Sequence, residues 1–528
     1  MTLFVYFLLS AVNLIGQETP EDKGLRSINE DVIRAQMGFL ASDWTEGRAA
    51  GEKGERLAGD YIASMLQLYG VKPYGDPDRY RSDPNRAGEA DRTYFQNFVL
   101  LKTLPGDEQI LQVKSTEGKT VRVTSFSRDV DFIVRPSDPA IELSAPVVFA
   151  GYGYKNDALK YNDFSKLDLK GRFVLRLSGF PKFITELKNA SELTKESFAM
   201  DSVIRAMGAV GIIEFNPDSK VVGRPEKPDY LNMSPSEGIP LSGKPRASYM
   251  IPNEKTNELL QRLIVSVKTA NEIIKDTGID IGGYINNADK NQSYSLTLLP
   301  NKEIYFRTSI KTTQVAMRNI IGVIEGKIPD QVIVLGAHYD HMGIGNGYIW
   351  NGADDNASGT VGVMTLAKAI METGRQPEKT IIIALWSSEE LGLLGSKYYL
   401  DNLNFPIKNI KLNLNFDMIS RYITDSEPNK VTMTYDIKYP GFRDMTVSNL
   451  KKYGIDLIVD YQPSSDPPGG SDHRSFVARA IPIMRFKPGH REEYHRPGDE
   501  NETLNWDIME KIIKISFTNV WELANSEW

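Results

Sequence analysis

Five short clusters carry the side chains that could do chemistry: His338-Tyr339-Asp340-His341, Asp354-Asp355-Asn356, Ser387-Ser388-Glu389-Glu390, Asp417 and Tyr494-His495. They offer imidazoles and carboxylates, the nitrogen and oxygen donors that suit catalytic divalent metals. The chain has no cysteine. Thiol nucleophiles, disulfides, Cys-ligated zinc and iron–sulfur clusters are therefore excluded, and any metal is held by His, Asp and Glu. All five histidines, His338, His341, His473, His490 and His495, fall in one stretch of under a third of the chain. A single histidine is usually a satisfied structural residue, but five bunched among acidic clusters point to a site. Two closely spaced dications repel unless their ligands are anionic. His338 and Asp417, His495 and Glu390, and a bridging Asp355 would supply two imidazoles and three carboxylates, which with a hydroxide offset that charge. Asp340, two residues after His338, is placed to orient its imidazole through the other ring nitrogen. Glu389 need not bind metal; it can take a proton from metal-held water and deliver it to a leaving amine.

These clusters sit where a sheet would put them. In open α/β sheets, ligands bind at the carboxyl ends of strands. Val332–Ala337 runs into His338, Thr380–Trp386 into Ser387, and Ile410–Phe416 into Asp417, while Tyr494-His495 follows Ile481–Phe486 by a short loop. Asp354-Asp355 precedes a helix expected from Ser358 to Thr373. Strands alternating with helices predict an α/β fold, a mostly parallel mixed sheet flanked by helices. Residues 28–70 read as helical. Between them, from about 138, Pro146–Gly153, Gly171–Leu177 and Gly208–Phe215 read as strands, 194–207 and 254–267 as helices. The expected organisation is a signal peptide at 1–16, an N-terminal part of the main domain at 25–137, an inserted β-rich domain at 138–300, and the main catalytic part at 301–528.

The motifs His338-Tyr339-Asp340, Gly352-Ala353-Asp354-Asp355-Asn356-Ala357-Ser358-Gly359, Glu389-Glu390-Leu391-Gly392, Asn415-Phe416-Asp417-Met418 and Tyr494-His495, in this order, resemble the secreted two-zinc aminopeptidases. That family (clan MH) includes bacterial leucyl aminopeptidases and is related to glutamate carboxypeptidase. Ser471-Asp472-His473 and Leu40–Arg48 resemble further family segments. Val148–Gly153, Asp168–Arg172 and Gly208–Gly211 resemble an inserted protease-associated domain. The resemblance implies two zinc ions held by His338, Asp355, Glu390, Asp417 and His495. It makes Asp355 rather than Asp354 the bridge, because the family's ligand stands three residues before the Ser of Ser-Gly, here Ser358-Gly359. It also implies release of the N-terminal residue of a peptide by a hydroxide held on two zincs, with Glu389 as general base. The implied partners are peptides with a free N-terminus.

Composition narrows the rivals. Net charge is −7, and no basic excess argues for nucleic acid. Leu3 to Ile15 is too short for a confident membrane span and fits a signal-peptide core, so a secreted or periplasmic location is expected and no membrane span after signal removal. Gly343, Gly345 and Gly347 open no helix, and neither G-x-S-x-G nor H-E-x-x-H is present. Glu389-Glu390 alone could be an ordinary acidic helix start. His341, His473 and His490 could be pocket or surface residues. A carboxypeptidase or dipeptidase on the same metals remains open; it needs a cation for the substrate carboxylate, and Arg474, Arg485 and Arg491 lie nearby in sequence. A glutaminyl cyclase or a non-catalytic binding protein is a weaker alternative. No oligomeric state is read from the sequence.

Overall fold

The computed structural model describes residues 18–78, 91–134, 140–218, 247–252, 260–292, 298–345, 347–489 and 491–528. The expected signal segment and His490 lie outside them. The chain forms two compact units. The first takes the chain up to Phe98 and again from Ala316 to Trp528; the second comprises Val99–Asp229 and Pro240–Val315.

In the first unit the strands lie in the order Ile458–Ser464, Lys430–Asp436, Ile483–Lys487, Ile410–Asn415, Ile328–His338, Lys379–Trp386, and then the end of Leu298–Ile324. The three central pairings, 328–338 with 379–386, 328–338 with 410–415, and 410–415 with 483–487, are parallel. Residues 320–324 close one side antiparallel to 381–385. The sheet is covered on both faces, and the alternation of side chains shows why. Ile333, Leu335, Ala337, Ile381, Ile383 and Leu385 enter one core. Val332, Val334, Ile382, Ala384 and Trp386 enter the other. A strand buried on both sides is a continuous apolar run, and successive side chains still point to opposite faces. Helices Glu30–Leu40, Lys53–Leu68, Gly359–Glu372 and Trp506–Asn525 supply the first core, while Tyr399, Leu400 and Phe476 of the short helices Leu394–Asp401 and His473–Val477 supply the second. The helix Glu30–Leu40 starts where Asn29 caps it, its side chain accepting from the Val32 amide at 3.0 Å.

The second unit is also α/β. Ile141–Phe149, Phe173–Leu177, Gly211–Phe215 and Gln261–Val265 pair in parallel in that order, with helices Ala190–Ala206, Val267–Ile274 and Ile281–Ala288. The unit begins at Val99, inside the long strand Phe95–Glu117. Of the helix expected at 254–267, residues 254–259 lie outside the described ones, and the rest is a strand over Gln261–Val265 followed by a helix from Val267. Its apolar residues are too few to separate a helical period from an alternating one.

This unit holds a buried carboxyl. Asp163 accepts from the Tyr284 hydroxyl at 3.0 Å and from the Tyr154 amide at 3.1 Å. Burial pushes it up to about 7 against those hydrogen bonds. A carboxyl with a raised folded-state pKa holds its proton more tightly when native. Its stabilisation is full below the unfolded value near pH 4 and is lost as pH rises to about 7. Relative to Asp163→Asn, the native chain is expected to lose about 4 kcal/mol across that window, at about 1.4 kcal/mol per unit. Urea unfolding of both proteins at pH 4 to 7 measures it; parallel profiles would contradict it.

Candidate metal centre

The carboxyl ends of the central strands bring the candidate residues together. His338 ends its strand, with its carbonyl accepting from Thr360 Oγ1 at 2.7 Å. Asp417 follows the strand Ile410–Asn415, and the Phe416 amide is held by the Gly336 carbonyl at 2.8 Å. Asn356 ties the two sides: its Nδ2 donates to the Phe416 carbonyl at 3.0 Å and its Oδ1 accepts from the Met418 amide at 3.1 Å. The backbone bends sharply where it presents these groups. Ser388, Met418 and His495 have φ of 62°, 61° and 54°, left-handed values that cost a non-glycine residue of order 1–3 kcal/mol and concentrate at functional sites.

The distances set out two groups around one carboxylate. His338 Nε2 lies 3.4 Å from Asp355 Oδ1, and His495 Nε2 lies 2.9 Å from Asp355 Oδ2. Asp355 thus turns one oxygen to each imidazole. His495 Nε2 is also 3.6 Å from Glu390 Oε2. One donor atom each from His338, Asp355 and Asp417 lies within 4.8 Å of the others, and so does one each from His341, Asp355 and Glu390. Ligands about 2.1 Å from a tetrahedral zinc stand about 3.4 Å apart, so both groups can close on a cation. The second group holds His341 where the sequence pointed to His495. The two rings approach from different sides. His341 Nδ1 meets Glu390 Oε1 at 3.0 Å, while His495 Nε2 meets the other oxygen.

The electrostatics match the donor set. Asp340, Asp355, Glu389, Glu390, Asp417 and Asp472 converge here, and among the described residues none of them is ion-paired with Lys or Arg. Among the described residues, neither oxygen of buried Asp472 has a hydrogen-bond partner. A buried surplus of carboxylates requires cations, and oxygen and nitrogen donors around a shared carboxylate fit a pair of divalent ions. The titration of the groups reflects the same field. Burial would lower the His338 pKa, but Glu389, Asp355, Asp417 and Asp340 outweigh it and raise it well above its usual value. Burial would raise Asp355, but the hydrogen bond from His495 and the charges of His341 and His338 hold it below the usual carboxylate range. Glu389 is raised well above its usual value, by burial and then by Glu390, Asp472 and Asp417, against His338.

The supporting layer differs from the sequence reading at one point and extends it at three. Asp340 was expected to orient His338. Its carboxylate stands 3.9 Å from His338 Nδ1, and the nearer acceptor is its backbone carbonyl at 3.2 Å. The carboxylate instead accepts from the amides of Glu389 at 3.0 Å and Glu390 at 3.3 Å, because the parallel strands bring both loops to the same edge. Asp354 faces away from the metal groups: its Oδ1 accepts from the Ser420 amide at 3.0 Å and Ser420 Oγ at 2.6 Å. Asp499, not foreseen, accepts from the amides of Asp354 and Asp355, each at 3.0 Å. Arg48 closes the Leu40–Arg48 segment and is wholly buried. It donates to the carbonyls of Tyr339 at 2.9 Å, Asn351 at 2.6 Å and Gly352 at 2.9 Å. Glu55 accepts from Ser387 Oγ and, at 2.6 Å, from the Gly51 amide; burial pushes it up to about 7. Gly352 cannot be another residue: with φ +56°, a Cβ there would stand 2.2 Å from the Asp355 carbonyl oxygen and 2.3 Å from His341 Cδ2. His473 belongs to neither donor group and is buried against Pro468 and Arg485.

Residues 319–520, which hold all five candidate ligands, match Peptidase family M28. The leupeptin-inactivating enzyme 1 of Streptomyces exfoliatus is 35% identical over 167 residues, 31% of this chain and 34% of that protein. Leucine aminopeptidase 2 of Trichophyton rubrum is 33% identical over 215 residues, 35% of this chain and 41% of that one. The chain thus spans about a third of the length of such relatives. Among solved structures, an aminopeptidase from Aneurinibacillus sp. strain AM-1 superposes with a TM-score of 0.56 at 16% identity, over 96% of this chain and 97% of that one. The zinc aminopeptidase BSAP of Bacillus subtilis gives 0.50 at 18% identity, over 94% and 96%. At these identities the likeness shows a common fold.

Proposed function

We propose that this chain, a member of Peptidase family M28 over residues 319–520, is a two-zinc aminopeptidase that releases the N-terminal residue of a peptide. The observation that carries the reading is the pair of donor groups sharing Asp355, with Glu389 Oε2 beside them at 4.0 Å from His338 Nε2. His338, Asp355, Glu390, Asp417 and His495 hold the ions. His341 orients Glu390 through its Nδ1, as an outer-layer partner does. Bound zinc supplies Lewis acidity and a water of lowered pKa. Glu389, in neither donor group, is placed to take up a proton on Oε2 and pass it to the leaving amine. Asp340 fixes where that carboxylate starts, by pinning the Glu389 amide. The carboxylate-rich surroundings also favour a substrate's protonated N-terminus near the site. The second unit is read as the protease-associated module that its sequence motifs resemble.

The test is hydrolysis of free-amine and N-acetylated peptides by the purified protein, with chelator and zinc add-back. Chelator-sensitive release of the first residue, restored by zinc and blocked by acetylation, is the expected result. Cleavage that tolerates acetylation and needs a free C-terminal carboxylate would replace this reading with a carboxypeptidase. That alternative has one observation in its favour: of the three arginines close in sequence, Arg474 pairs with Asp466 at 2.5 Å and Arg491 with Asp425 at 2.8 Å, but Arg485 has no ion pair among the described residues.

A further inference from the structure

Arg485 and Lys487 stand two apart on the strand Ile483–Lys487, so they share one face of it. That strand pairs with the one that ends at Asp417. Lys487 Nζ reaches 3.7 Å from Met418 Sδ, one residue past Asp417. Arg485 Nη1 lies 3.3 Å from the ring of His473, one residue past Asp472, and 3.2 Å from the Pro468 carbonyl oxygen. Neither cation has a carboxylate within ion-pair distance among the described residues. His473 does not answer the charge: burial first, then Arg485, push its pKa down to about 3, so the ring is neutral. Arg485 is itself lowered by burial, with Asp417 the opposing charge. A partly buried guanidinium with no carboxylate in contact is costly, and its fork geometry matches a carboxylate. Two such cations beside the metal centre, on an edge otherwise rich in carboxylates, form a place for an anion belonging to the substrate.

We propose that Arg485 and Lys487 bind the C-terminal carboxylate of a short peptide whose scissile bond lies at the metal centre, which makes di- and tripeptides the favoured substrate class. The proposal rests on the aminopeptidase reading. A terminal carboxylate one or two residues beyond the scissile bond, at about 3.5 Å per residue, is what such an edge can reach.

The test compares an uncleavable reduced-bond analogue of Leu-Ala with its C-terminal amide, by calorimetry on the zinc-loaded protein. The acid is expected to bind roughly 10- to 100-fold more tightly than the amide, the range for hydrogen bonds to a charged group. In Arg485→Met/Lys487→Met this ratio is expected to fall to near one. A merely structural role would weaken both ligands and leave the ratio alone. Equal affinities in the native protein overturn the proposal, a result that does not depend on the variant folding; so does a ratio that survives in the variant. Turnover of leucine p-nitroanilide, which has no carboxylate, reports the aminopeptidase reading separately. Turnover without acid selectivity counts against the carboxylate site alone, and acid selectivity without turnover counts against the aminopeptidase reading alone.

Discussion

Replacing Glu389 with alanine is expected to leave the zinc content unchanged and to lower kcat by ~10²–10⁴-fold, the usual contribution of a general base. The expectation follows from where the side chain sits. Glu389 belongs to neither donor group, yet its Oε2 stands 4.0 Å from His338 Nε2. Its amide is pinned by Asp340 at 3.0 Å, and the residue before it, Ser388, has a φ of 62° that turns the chain towards the site. A group held so closely without ligating is positioned for proton transfer. Zinc analysis and steady-state kinetics on one preparation separate the two effects. Full activity in Glu389→Ala would remove the mechanism, and lost zinc would make Glu389 a ligand.

The second large effect is expected at Asp355. Its two oxygens face His338 and His495 at 3.4 and 2.9 Å, and it is common to both donor groups. Asp355→Ala is therefore expected to lose both ions, the activity, and the part of the thermal stability that zinc confers by binding the native state alone. Metal analysis of the dialysed variant, with melting curves in the presence and absence of zinc, is the measurement. The same analysis separates the two histidines near Glu390. His495→Ala is expected to lose one ion. His341→Ala is expected to keep both with weakened affinity, about 10- to 100-fold for the loss of an outer-layer partner. Two full equivalents of zinc in Asp355→Ala would show that no shared carboxylate is needed.

The parts legible in the sequence share one property: local pattern decides them. Each of His338, Glu389-Glu390 and Asp417 ends an apolar run, and those runs are the central strands Ile328–His338, Lys379–Trp386 and Ile410–Asn415. Lys430–Asp436 and Ile458–Ser464 do not stand out, because they are the two outermost strands on one side of the sheet, where lysine, threonine and glutamine interrupt the apolar run. The supporting residues were hidden for a different reason. Arg48 meets the carbonyls of Tyr339 and Gly352, at sequence separations of 291 and 304. Asp499 meets amides 144 and 145 residues away. Their partners are backbone groups, which leave no trace in residue type. Arg48 could have been marked only as the charged end of a recognisable segment. The Asp340 carboxylate, 3.9 Å from His338 Nδ1, also accepts from the Glu389 and Glu390 amides across the sheet edge, a use that a two-residue spacing does not reveal.

Arg48 and Asp499 together set the order in which a working molecule can arise. The loop carrying Asp355 is tied by Arg48, 304 residues before Gly352, and by Asp499, 144 residues after Asp355, with His495 close to the latter in sequence. A chain emerging from the ribosome holds Arg48 early, yet must wait for Asp499 before the loop is fastened. Until then the central carboxylate is unclamped and one imidazole is missing, and loop-closure entropy over hundreds of residues opposes the docking of the first segment. The donor set around Asp355 is thereby completed only once residue 499 has been made and docked.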